Sequence, residues 1–130
     1  MLKRKTIYEL VNAFEVSFDE ILAILKAIAN NKRITILISL LTGQRSFADL
    51  KEDTKLQKTA LSNHLTILID SSLISRPDYN KYQLTSDGEL FLRSIEIAFK
   101  KSEIREKIQT EGLQRRQFSE AFIKSFFGRE

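Results

Sequence analysis

Residues 56–68 read Leu-Gln-Lys-Thr-Ala-Leu-Ser-Asn-His-Leu-Thr-Ile-Leu, and two residue types inside them point to one chemistry. Leu61, Leu65 and Leu68 recur four and three apart, which on a helix gathers them on one face. Lys58, Thr59, Ser62, Asn63 and Thr66 fall mainly on the other faces. These side chains are short, polar or basic, with donors and acceptors suited to the base edges and phosphates of double-stranded DNA. Gln57, just ahead of the helix, can meet a phosphate through its amide or its backbone N–H. Any solvated amphipathic helix also has a polar face, so the flanking elements decide between the two readings.

Those elements are legible from caps and periodicity. Residues 4–14 form an amphipathic stretch with Ile7, Leu10, Val11 and Phe14 on one side. Ser17-Phe18-Asp19-Glu20 reads as a capping box that starts a helix carrying Ile21, Leu22, Ile24, Leu25 and Ile28. Asn30 and Asn31 end it and can cap the next helix, 32–41, whose core face is Ile34, Leu37, Ile38 and Leu41. Thr42-Gly43 stops that helix. Ser46 caps a short third helix, 47–53, with Asp49 in its first turn. Residues 54–57 then turn into the candidate reading helix, 58–71, giving a helix-turn-helix arrangement.

Beyond it, Leu73-Ile74-Ser75-Arg76 and residues 81–85 alternate as strands around the turn Pro77-Asp78-Tyr79-Asn80. A hairpin over 74–85, directly after a helix-turn-helix, is a wing. Arg76 and Lys81 flank its turn and read either as strand-edge charges or as phosphate contacts on the backbone or in the minor groove. Tyr79 sits at its tip. Ser86-Asp87-Gly88-Glu89 reads as a second capping box, opening a helix to about Thr110 with Leu92, Ile95, Phe99, Ile104 and Ile108 as its apolar stripe. Glu111-Gly112 breaks it. A last helix, 114–127, carries Phe118, Phe122, Ile123, Phe126 and Phe127.

Composition excludes several function classes. The 130 residues are 42% hydrophobic and 29% charged, as in a soluble globular domain. No cysteine is present, so there is no disulfide or thiolate site, and a single histidine, His64, cannot build a metal site alone. His64 instead reads as a part-buried helix residue bonded to a neighbouring backbone or phosphate group. Net charge is +4, with +3 of it (eight basic against five acidic residues) in 31–85, a mild excess that agrees with nucleic-acid contact. The most apolar run, 34–41, is too short to span a membrane, which points to the cytoplasm. No glycine-rich phosphate loop, Cys nucleophile or Ser–His–Asp set is evident, and Ser62 and His64, two apart on a helix, diverge. No enzyme, metal or cofactor is expected.

Leu61-Ser62-x-His64-Leu65-x-x-Leu68 resembles the recognition-helix signature of ArsR-type winged helix-turn-helix transcription regulators. Ile28-Ala29-Asn30-Asn31-Lys32-Arg33-Ile34-x-Ile36-Leu37 resembles the segment these proteins carry across their first core helices, where an Asp-Pro pair more often precedes the basic residue. Tyr82-x-Leu84-Thr85-x-x-Gly88 resembles the strand and helix start that follow the wing in ArsR-like and MarR-like proteins. The matches cover roughly residues 20–100. The sensor Cys pair is missing, as is any His and Asp cluster on the last helix, so the resemblance does not extend to metal sensing. Asn63 stands where the family often has a basic residue, which weakens phosphate attraction but permits bidentate pairing with adenine.

The expected fold is mainly α with a small β-hairpin wing (α+β): one domain over 1–130, a winged-helix core at 18–85, and terminal helices 1–16 and 86–130 forming a homodimer interface. The expected function is sequence-specific reading of double-stranded DNA through Gln57, Lys58, Thr59, Ser62, Asn63, Thr66, Arg76 and Lys81. An unknown small-molecule effector in an apolar pocket between the terminal helices stays open. Two alternatives stand beside it: a winged helix used for protein contact, and a dimerisation domain of a larger enzyme.

Overall fold

Thr6 shows how the chain begins its helices: its backbone is extended and its hydroxyl accepts a hydrogen bond from the Glu9 N–H at 3.2 Å, starting α1 (Ile7–Val16). The computed structural model describes residues 4–114. α2 (Phe18–Ile28) follows after one residue. The capping box expected at Ser17 is not formed. The Ser17 N–H donates to Ala13 O and its carbonyl accepts from Ile21 N. The residue is therefore tied into both helices, and its side chain makes no cap bond.

Asn30 does cap: its Oδ1 accepts from the N–H groups of Lys32 and Arg33, each at 3.0 Å, and opens α3 (Asn31–Ser39). The chain tightens into a 3₁₀ turn at Leu40–Thr42 and leaves through Gly43 at φ 139°, a conformation that favours glycine. That tightening corrects one core assignment. Leu40 is buried and Leu41 is exposed, because the tighter turn rotates the last apolar pair by one position.

Ser46 caps α4 (Phe47–Thr54) as expected, and the Asp49 carboxylate also accepts from the Ser46 N–H, so the two residues form a reciprocal capping box. Lys55, in the left-handed region at φ 60°, reverses the chain into α5 (Lys58–Asp70). Two strands follow, β1 (Ile74–Asp78) and β2 (Lys81–Leu84), antiparallel with Ile74 opposite Leu84 and Ser75 opposite Gln83. Pro77 lies in β1 and not in the turn, which is the two-residue Tyr79-Asn80. Proline cannot donate to the ladder, and the register shifts between Ser75 and Asp78. Arg45 adds a bridge the sequence did not signal: its N–H and carbonyl pair with the carbonyl and N–H of Tyr82 at 3.0 and 2.8 Å.

Thr85, not Ser86, caps α6 (Ser86–Lys101), its Oγ1 accepting from Gly88 N at 2.9 Å. The long helix expected to reach Thr110 stops at Lys101. Ser102 turns extended, and its Oγ accepts from the Arg105 N–H, starting α7 (Glu103–Gln114). Gly112 is therefore inside a helix and breaks nothing. Of the helix expected over 114–127, Gln114 is the last residue of α7 and the rest lies outside the described residues.

The core joins Ile36 and Leu37 of α3, Leu50 of α4, Leu61, Leu65 and Leu68 of α5, and Leu73, Ile74 and Tyr82 of the hairpin region. α1 buries no residue. Ile7, Leu10, Val11 and Phe14 on α1, Ile95 and Phe99 on α6, and Ile104 and Ile108 on α7 stay exposed. Among the described residues, no helix is long and apolar enough to cross a membrane.

Candidate nucleic-acid interface

α5 is anchored from behind. Leu61 and Leu68 are 0% exposed and Leu65 is 2% exposed, while Gln57, Lys58, Thr59, Ser62, Asn63 and Thr66 are all exposed. The leucine spacing thus turns one polar row to solvent. Thr66 donates its hydroxyl back to Ser62 O at 2.9 Å, which holds that side chain close to its own helix. Gln57 is extended and makes no side-chain cap bond, and the first turn of α5 has no acidic residue. The first turns of α4 and α6 both have one. The positive end of the α5 dipole is therefore offset by no carboxylate and has Lys58 beside it, an arrangement that suits a phosphate.

Two basic residues missed by the sequence reading tie together the helices around α5, and one of them, Arg33, reaches α5 itself. Lys32 Nζ donates to Thr54 O at 2.7 Å, closing the C-terminal end of α4. Arg33 donates from Nε to Ala27 O at 2.6 Å and from Nη2 to Lys26 O at 3.0 Å, at the C-terminal end of α2. Its Nη1 lies 3.0 Å from His64 Nδ1 on α5. The His64 ring nitrogen is thus taken up by a side chain, not by a backbone or phosphate partner. Burial first, then the charges of Arg33 and Lys32, hold the His64 pKa below its ordinary value. One signal could have found the pair. Two cations in the first turn of a helix oppose its dipole, so they need acceptors elsewhere.

The wing is fixed to the body by side chains. Phe47 N donates to Asn80 Oδ1 at 3.2 Å, which ties the hairpin turn to the start of α4. Gln44 Nε2 donates to Gln83 Oε1 at 2.8 Å. Arg76 is drawn onto its own turn, donating from Nε and Nη2 to Tyr79 O at 2.9 and 2.5 Å. Its guanidinium also stacks 5.4 Å from the ring centres of both Tyr79 and Tyr82. Two of its nitrogens therefore shape the hairpin tip. Lys81 is exposed on β2, opposite Asp78. Its charge reaches Asp49, whose carboxyl sits below its ordinary pKa. The largest causes there are the hydrogen bonds from the Ser46 N–H and hydroxyl, followed by the charges of Arg45 and Lys81.

Gln57, Lys58, Thr59, Ser62, Asn63 and Thr66 beside α5 and Arg76 and Lys81 on the hairpin are all exposed, with the Arg76 guanidinium partly tethered to its own turn. Over residues 22–98 the chain matches the family described as methanogenesis regulatory protein FilR1, N-terminal domain. It is similar to the arsenical resistance operon repressor of Staphylococcus aureus, 36% identical over 72 residues that span 53% of this chain and 69% of that protein. Among solved structures it is similar to reduced HlyU from Vibrio cholerae, with a TM-score of 0.56, 28% identity, and 68% of this chain and 94% of that one covered. It also shares the fold of Mb0332 from Mycobacterium bovis, described as a homodimeric winged helix-turn-helix DNA-binding domain, with a TM-score of 0.59, 22% identity, and coverage of 79% and 94%.

Proposed function

The chain belongs to the FilR1 N-terminal-domain family of ArsR-like winged-helix regulators, which are not enzymes, and on that premise we propose that it reads a specific sequence of double-stranded DNA as a homodimer. α5 enters the major groove. Thr59, Ser62 and Asn63 meet base edges, Gln57, Lys58 and Thr66 meet phosphates and neighbouring groups, and Lys81 with the untethered part of Arg76 rests on the backbone beside the wing. The observation that carries this reading is the exposed polar row of α5 set against its fully buried leucines.

Homodimerisation is supported by the apolar faces of α1, α6 and α7, which the winged-helix core at 18–85 leaves uncovered. Segments 1–16 and 86–130 supply the interface in this reading. A second copy would cover those faces and set two reading helices about one helical turn of DNA apart. Such a regulator works in the cytoplasm. Selection of bound duplexes from a random pool, with oligomeric state measured by light scattering, tests the proposal. A recovered two-fold motif and a dimer support it. Failure to bind any duplex at low salt rejects DNA reading and favours a protein-contact role.

Two substitutions separate the kinds of contact. Asn63→Ala is expected to cost about 1–3 kcal/mol of discrimination at one base pair of the recovered site. Competition binding against single-base variants reads it, and equal losses on cognate and scrambled DNA would exclude base reading by Asn63. Lys81→Ala is expected to weaken all sequences alike and lower the slope of log affinity against log salt by about one. A salt titration showing an unchanged slope would remove Lys81 from the backbone contacts.

A further inference from the structure

We propose that Arg33 is the positioning residue of the DNA-reading helix, clamping α5 to the end of α2 through His64 and requiring that His64 be neutral for DNA to bind. This rests on the DNA-reading function proposed above.

The geometry fixes the chemistry of the ring. Arginine has N–H donors, no acceptor, and keeps its charge in proteins. The 3.0 Å contact between Nη1 and His64 Nδ1 is therefore a hydrogen bond only if Nδ1 carries no proton. His64 is then a neutral imidazole with its hydrogen on Nε2. The other two donors of the same guanidinium hold the carbonyls of Lys26 and Ala27, groups at a helix end that otherwise need partners. One planar fork thus joins α2, α3 and α5, and the residue it grips on α5 directly follows Asn63. A lysine can supply the charge there but not the fork.

Protonation breaks this joint. A hydrogen on Nδ1 would set two donors and two cations against each other. The charges acting on the ring are Arg33 and Lys32, both cations from α3. α2 presents the carbonyls of Lys26 and Ala27 to the guanidinium. The neighbours one turn away on α5 itself, Ala60, Leu61, Ile67 and Leu68, are uncharged. The lowered His64 pKa agrees, burial being its first cause. The stability linked to it is complete above the ordinary value of 6.5 and is lost as pH falls through the lowered folded value. An unconstrained surface histidine would do the opposite, since a gained positive charge strengthens DNA binding.

Because His64 is the one histidine in the chain, ¹⁵N NMR of the imidazole reads its tautomer without ambiguity. The expected result in the free protein is an Nε2-protonated ring. Duplex affinity is then measured from about pH 7 to about pH 5 for the wild type, Arg33→Lys and His64→Gln, on the duplex recovered by selection and on a scrambled control. The wild type is expected to lose affinity on acidification. His64→Gln, whose amide oxygen can still accept from Arg33, should bind at neutral pH and lose that acid sensitivity. Arg33→Lys should bind at least about tenfold more weakly at neutral pH, the loss of a charged hydrogen bond, with the helical circular dichroism retained. An Nδ1-protonated ring, wild-type affinity that rises on acidification, or Arg33→Lys binding as the wild type does would each overturn the proposal. A wild type that binds no duplex at any pH would instead reject DNA reading itself.

Discussion

Leu61→Ala is expected to destabilise the fold by about 2–5 kcal/mol, the cost of deleting a fully buried leucine and leaving a cavity behind it. Leu61 is 0% exposed and belongs to the central cluster. The loss is a large share of the roughly 5–15 kcal/mol that holds an ordinary domain folded. Urea denaturation followed by circular dichroism measures it through the midpoint. DNA binding should fall with stability, because the polar row is presented only while the leucines behind it are seated. Ser62→Ala is the control, one residue along and exposed. It should leave the midpoint within about 0.5 kcal/mol, as surface changes do, while weakening DNA binding. Should Leu61→Ala unfold no more readily than Ser62→Ala, α5 is not anchored where the buried leucines place it.

Gly88→Ala is expected to lower stability by about 3 kcal/mol, as overpacking does, although glycine-to-alanine exchange inside a helix ordinarily stabilises by about 1 kcal/mol. The sign is decided by space. A Cβ at Gly88 would press on the carbonyl oxygen of Leu73 and come within 2.7 Å of Leu84 Cδ1. The backbone oxygen cannot move aside cheaply, because Thr85 donates to Leu73 O through its N–H at 3.1 Å and its hydroxyl at 3.0 Å. Gly43 shows the other use of glycine, with open space around it and a left-handed φ of 139°. A thermal melt in which Gly88→Ala matches or exceeds the wild type would mean that α6 stands away from the hairpin.

How far such features could be read in advance depended on how local their causes are. The Ser46 and Asn30 caps involve partners within three residues, and both formed as expected. At Thr85 and Ser86 two hydroxyls compete for one cap. Thr85 prevails because its hydroxyl also reaches Ser72 O and Leu73 O, thirteen and twelve residues away. Ser17 has the sequence of a cap, but its backbone stays hydrogen-bonded into both adjoining helices. Ser102 was legible in principle, since a serine ahead of Glu103 is a cap signal. The unbroken apolar stripe across that point concealed it.

Periodicity and cap chemistry were enough to place the reading helix, its anchored leucines, its outward polar row and the hairpin beside it. A helix must segregate apolar from polar residues wherever it sits, so that order is written along the chain. Folding alone decided what holds those pieces at their mutual angles: the Arg33 fork across thirty-one residues to His64, the Asn80 tie from the wing to α4, and the turning of Arg76 onto Tyr79. Contacts of that kind depend on where distant backbone segments meet. They leave no repeating pattern, because each is a single pairing of a donor with an acceptor that packing happened to bring within reach.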